Sequence, residues 1–213
     1  ILLCLICYVN TQQKLVYLIA MIDFTYILTV LACILVSMTL HEAMHAFASN
    51  WLGDDTARLQ GRLTLNPLAH IDPIMTVLLP LTLAVAGLPP FGAAKPVPFN
   101  PYRLKYGEIG AAIVAAAGPL TNLALAAIAG VMLNLFAASL EPVVNQVLAI
   151  FLLVNASFFL FNSIPFPPLD GSRVLYAIAP ESVQRVMERI EAMGLMAILF
   201  FFLVFSAFLA QPF

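Results

Sequence analysis

From Phe24 to Leu52 the chain carries no lysine or arginine and a single carboxylate, that of Glu42. A helix needs roughly 20 largely apolar residues to cross the hydrocarbon core of a bilayer, so this run alone is long enough to span one. Further apolar runs cover about Pro73–Leu88, Ile109–Ala138, Val143–Phe161 and Met193–Leu209. Lipid must be part of the solvent: 62% of the residues are hydrophobic and 9% charged, with mean hydropathy +1.00, whereas a soluble domain carries roughly 25% charged residues. Residues 1–20 are apolar apart from Lys14 and read as one more short or interfacial span, an uncleaved leader or an upstream extension without function, because Met21 reads as a natural start. The expected fold is an all-α polytopic membrane protein with five to six transmembrane helices, residues 21–213 making one domain.

Between the spans the helical pattern breaks twice. Residues 53–72 alternate polar and apolar through Arg58–Leu65, which predicts a short membrane-associated strand or hairpin. Residues 89–106 hold five prolines, which exclude a helix. Residues 180–192 place Val183, Val186 and Ile190 on one helical face and charges on the other, the pattern of an amphipathic helix lying at the membrane surface. The net charge is −2, and no basic face or tail points to a nucleic acid. Cys4, Cys7 and Cys33 lie in apolar stretches and read as buried small residues, without a disulfide framework.

The first run contains His41-Glu42-Ala43-Met44-His45, an H-E-x-x-H pattern. On a helix, residues i and i+4 share a face, so both imidazoles can bind one metal ion, and Glu42 can take a proton from a water that the ion polarises. Ionisable residues are costly inside a bilayer and mark function there; the bland alternative is a polar patch joining helices. Zinc needs a third protein ligand and keeps one position open. The candidates are Asp54, Asp55, His70, Asp72, Glu108, Glu141 and Asp170. Asp170 stands out, because it sits between apolar runs behind Pro165, Pro167 and Pro168, where broken backbone lines a polar cavity. Its competing reading is an N-cap for the helix that follows. His70 is the runner-up ligand and fits better as a loop-ordering residue. Asn162, eight residues before Asp170, suits either an oxyanion donor or a helix cap. In Gly118-Pro119-Leu120-Thr121-Asn122, the small neighbours allow close helix approach and Asn122 pairs across helices.

Three segments in order, HEAMH (41–45), GPLTN (118–122) and NSIPFPPLDG (162–171), resemble the site-2 protease family of intramembrane zinc metalloproteases. The stretches GDDTARLQGRLTLNPLAHIDP and AAKPVPFNP resemble a compact bacterial subgroup without a PDZ domain. The resemblance covers roughly residues 22–210. It implies one zinc ion held by His41, His45 and Asp170, with Glu42 as general base and Asn162 polarising the substrate carbonyl. It also implies a multi-pass bacterial cell-membrane enzyme that cuts transmembrane proteins or peptides. The alternatives are a membrane metal or ion transporter and a non-catalytic scaffold using the same polar residues. An incoming substrate is expected to lie as an extended strand beside residues 58–65 or 93–98.

Overall fold

A computed structural model of the chain describes residues 24–85, 94–194, 196–197 and 200–201. Residues 1–20, the end of the Pro73–Leu88 run and most of the Met193–Leu209 run lie outside the described residues. Three helices are long and apolar enough to cross a membrane. These are α1 (Phe24–Trp51), α4 (Gly107–Phe136) and α5 (Pro142–Asn162). At 1.5 Å per residue, the 28 residues of α1 extend for about 42 Å. Their outward surfaces are apolar: Leu31, Val36, Ile128, Leu135, Leu153 and Leu160 are all exposed. That surface has no stable place in water, and the molecule is a membrane protein.

The helix at the centre is α4, which packs against α1, α5 and the short α6 (Asp170–Ile178). Its buried face is built from small residues, among them Gly110, Ala111, Ala115, Gly118, Ala126 and Ala129. Small side chains let helix backbones approach closely where lipid supplies no hydrophobic drive for association. Pro142 opens α5 in its first turn, where a missing N–H costs nothing. The Asn145 amide then donates to Ala137 O and closes the α4–α5 hairpin. Only Ile150 and Asn155 of α5 are buried, so this helix mostly faces outward.

Of the five to six spans expected, the described residues show three. In the Pro73–Leu88 run a π-helical turn, Pro73–Leu78, leads into α3 (Leu79–Val85). Those described residues amount to roughly 20 Å of helix, short of the hydrocarbon core.

The strand or hairpin expected over Arg58–Leu65 is also corrected, and no strand occurs among the described residues. Thr56–Leu59 is a single helical turn, α2, followed by turns. The Asp54 carboxylate accepts the Thr56 N–H and hydroxyl, which starts the helical turn just where the alternation begins. Residues 94–100 do run extended, as their prolines require, but they pair with side chains and with the His70 carbonyl and not with another strand. Arg62 donates to Lys95 O and Pro96 O, Val97 N–H donates to Glu42, and Asn100 N–H donates to Asp54. Val97 packs with Ala46 of α1 and Ala57 of α2, so this extended strap is fastened across the end of α1. The amphipathic segment folds as α7 (Glu181–Ala192), joined to α6 by the Arg173–Glu191 ion pair at 2.5 Å.

Candidate metal centre

The H-E-x-x-H segment occupies one face of α1, and both imidazoles are buried where α1 meets α4. The rings meet edge to face, with centroids 4.7 Å apart. Their orientation is set from α4: His41 Nδ1 lies 2.6 Å from Asn122 Oδ1, and His45 Nδ1 lies 2.8 Å from the Val114 carbonyl oxygen. Both partners are acceptors, so both Nδ1 atoms donate and each neutral ring keeps a lone pair on Nε2. Gly118 makes the approach possible, since a Cβ there would stand 2.5 Å from His45 Nε2 and 2.7 Å from His41 Cε1.

Asp170 arrives from the other side. The proline-rich stretch after Asn162 ends α5, and Leu169 takes the cap position of α6, leaving Asp170 as its first residue. The cap makes no side-chain hydrogen bond, so the capping alternative for Asp170 does not hold. A Cβ on Gly171 would run into the Ser163 and Ile164 carbonyls, which explains a glycine where the turn folds back on itself. Asp170 Oδ2 lies 3.1 Å from His41 Nε2 and 3.5 Å from His45 Nε2, and the two Nε2 atoms are 3.1 Å apart. The buried Oδ2 accepts no hydrogen bond.

Three lone-pair donors thus converge on one buried point, and a cation there would satisfy all three. The spacing fits zinc, whose nitrogen and oxygen ligands at about 2.0–2.1 Å in a tetrahedron stand about 3.3 Å from one another. Among the described residues, His41, His45 and Asp170 form the group of His, Cys, Asp and Glu able to hold a metal ion.

The other candidates are elsewhere. His70 is fully buried, with Nε2 2.9 Å from Thr64 O, while its own carbonyl accepts Lys95 N–H; it orders the loop. Asp55 pairs with Arg58 and Arg103, and Asp72 caps the helix after Pro73. Glu108 and Glu141 are exposed. Glu42, next to the first histidine, accepts the Val97 N–H through Oε2 at 3.2 Å. Asn162, the last residue of α5, donates from Nδ2 to Phe158 O at 3.0 Å. It also lines, with Asp170, a cavity of about 410 Å³ between α4, α6 and the end of α5.

Sequence reasoning passed over Ser37 and Asn155, both fully buried and hydrogen-bonded to one another beside Asn122. The available signal was their polarity inside apolar helices, with Ser37 one helical turn before His41 and Asn155 two turns before Asn162.

The fold and site together define a membrane protein with a buried His₂Asp metal-competent centre. Over 176 residues the chain is 39% identical to "Putative zinc metalloprotease YwhC" of Bacillus subtilis (strain 168), a match covering 79% of this chain and 77% of that protein. Over 175 residues it is 30% identical to "Putative zinc metalloprotease Rip2" of Mycobacterium tuberculosis (strain ATCC 25618 / H37Rv), covering 82% of this chain and 66% of the relative. The protein of that name from Mycolicibacterium smegmatis is 30% identical over 173 residues, 64% of its length. The chain therefore spans just under two thirds of the length of the mycobacterial relatives. No family model matches, and no solved structure does. The chain belongs to the family of zinc metalloproteases that these relatives represent.

Proposed function

We propose that the protein is an intramembrane zinc endopeptidase of the site-2 protease type, with one ion per chain, acting on peptide bonds in or beside transmembrane segments of bacterial cell-membrane proteins. The observation that carries this reading is the convergence of two buried imidazoles and the buried Oδ2 of a half-buried carboxylate among helices apolar enough to span a bilayer. His41 Nε2, His45 Nε2 and Asp170 Oδ2 would hold the ion. Bound zinc would supply a Lewis acid that brings the pKa of water to about 7 and polarises the scissile carbonyl.

Glu42 is the general base. The Val97 N–H holds Oε2 in place, and the carboxylate takes the proton of the attacking water and later passes it to the leaving amine. Asn162 Nδ2 has two N–H groups; one is spent on Phe158 O, and the second would donate to the carbonyl oxygen as charge develops there. A substrate helix must unwind to present its bond. Residues 58–65 are helix and turns, so the strap at 94–98 remains as the edge for an extended substrate. There Pro96 and Pro98 have no N–H, and those of Lys95 and Val97 are engaged. The substrate would therefore donate its own N–H groups to the strap carbonyls, those of Val97 and Pro98 foremost.

The test is Glu42→Gln in purified protein, assayed on transmembrane peptides in liposomes. Zinc should stay at one ion per chain while cleavage disappears. Cleavage that persists would remove Glu42 as the base, and metal flux without proteolysis would favour the transporter class.

A further inference from the structure

We infer that Asn155 is a positioning residue for the metal ligand His41, acting through Asn122 to decide which imidazole nitrogen carries the proton. The inference rests on the metal-centre reading and extends it to residues that touch neither ion nor substrate.

His41 can offer a lone pair at Nε2 only if Nδ1 bears the proton, and it does so while Asn122 presents its oxygen. An amide turned by 180° would present NH₂ instead and favour the opposite tautomer, which cannot bind a metal through Nε2. What holds Asn122 is its Nδ2, which donates to Asn155 Oδ1 at 2.8 Å and more weakly to Ser37 O at 3.4 Å. If Asn122 turned, two amide oxygens would face each other in a buried site.

Asn155 is held the same way. Its Nδ2 donates to the Phe151 carbonyl and to Ser37 Oγ, each at 2.8 Å. The Phe151 oxygen can only accept, so Asn155 cannot turn without setting oxygen against oxygen. Asn122, Asn155 and Ser37 are all fully buried, and no water competes for these groups. The polarity of a backbone carbonyl on α5 is thus passed through two amides to an imidazole on α1. His45 needs no such chain, because Val114 O meets it directly. Partners of metal-ligating histidines fix tautomer and ring orientation in this way; here the fixing extends one residue further out.

The full chain, purified in detergent and stripped of metal, would be titrated with zinc against a chromophoric chelator. Asn155→Leu, close in volume and unable to hydrogen-bond, should weaken zinc binding about tenfold, the low end of the effect of such partners. Asn122→Leu should cost more, and the double variant no more than Asn122→Leu alone, because the two act in series. A role confined to helix packing would leave zinc affinity in the folded protein unmoved, or give losses that add. Should Asn155→Leu fail to fold, Asn155→Ser keeps a donor for Phe151 O yet is too short to reach Asn122, and it should show the same loss. Affinity within about twofold of the parent for either variant, or additive losses in the double, overturns the inference. A parent that binds no zinc overturns the metal-centre reading itself, so the two failures are told apart.

Discussion

Asp54 and Asp170 are two carboxylates taken out of water, and the protein treats them in opposite ways. Asp54 is fully buried and surrounded by donors: the Thr56 hydroxyl at 2.5 Å, the Asn100 N–H at 2.6 Å and the Thr56 N–H at 3.1 Å. Asp170 Oδ2 is buried without a single donor, and its nearest polar neighbours are two imidazole nitrogens whose protons are committed elsewhere. A carboxylate that serves the fold is given hydrogen bonds that favour its charge. Asp170, the proposed ligand, has none on its buried Oδ2. Burial alone does not separate the two roles; the sign of the neighbouring atoms does.

The sharpest way to break that contrast is to remove Asp170. Asp170→Ala should lose its zinc, and cleavage with it, while the metal-free variant unfolds at or above the midpoint of the metal-free parent, because an unpaired buried acceptor has gone. Elemental analysis and thermal unfolding in detergent read both effects. Stoichiometric zinc in the variant, or a large loss of metal-free stability, would make Asp170 a structural residue like Asp54. Gly118→Ala comes next. It raises helix propensity by about 1 kcal/mol, yet its Cβ would press on both imidazoles at 2.5–2.7 Å. Zinc affinity should therefore fall by at least tenfold without loss of helix content by circular dichroism; unchanged affinity would show that the rings can give way.

The two aspartates also show what could be read from sequence. The place of Asp170 beside the two histidines was legible because it stands alone in an apolar context behind prolines, where a third ligand was sought for the H-E-x-x-H pair. Helix α1 and the cores of α4 and α5 were legible from apolar length. The 58–65 segment was misread, because alternation of polar and apolar residues reports neither the Asp54 cap that starts the helical turn nor the distant partners that hold the segment. Asp54 reaches Thr56 and Asn100 at once, and Arg62 reaches 33 residues along the chain to Lys95 O. The Asn122–Asn155 pair was invisible for the same reason, being 33 residues apart and on different helices. Periodicity reports which face is apolar; it does not report which polar groups meet.

On the structural side of the comparison, Asp54→Asn should destabilise the protein by about 2 kcal/mol, since an amide NH₂ would meet the Asn100 N–H or the Thr56 donors. The zinc content of the folded fraction should not change. A lower unfolding midpoint with one zinc per chain is the expected pair of readings; loss of zinc from folded protein would mean that the strap and the metal centre are coupled more tightly than the packing of Val97 on Ala46 implies.

The smallest effect concerns pH. Burial by itself pushes the Asp54 carboxyl up, but the Thr56 hydroxyl, the Asn100 and Thr56 N–H groups and the Arg103 charge outweigh it and hold the carboxyl below its ordinary range. A carboxyl whose pKa is lower folded than unfolded stabilises the fold above the unfolded value of about 3.9. That contribution is lost as pH falls through the folded value, because the unfolded chain takes up the proton first. Between pH 6 and pH 3 the unfolding midpoint of the metal-free parent should therefore drop further than that of metal-free Asp54→Asn, which has no proton to gain at this position. Working without metal keeps zinc release by Asp170 and the histidines out of the comparison, and the remaining carboxylates titrate alike in both chains. Parallel curves would mean that the donors around Asp54 act on its geometry and not on its charge, and the distinction between the two aspartates would then rest on Asp170 alone.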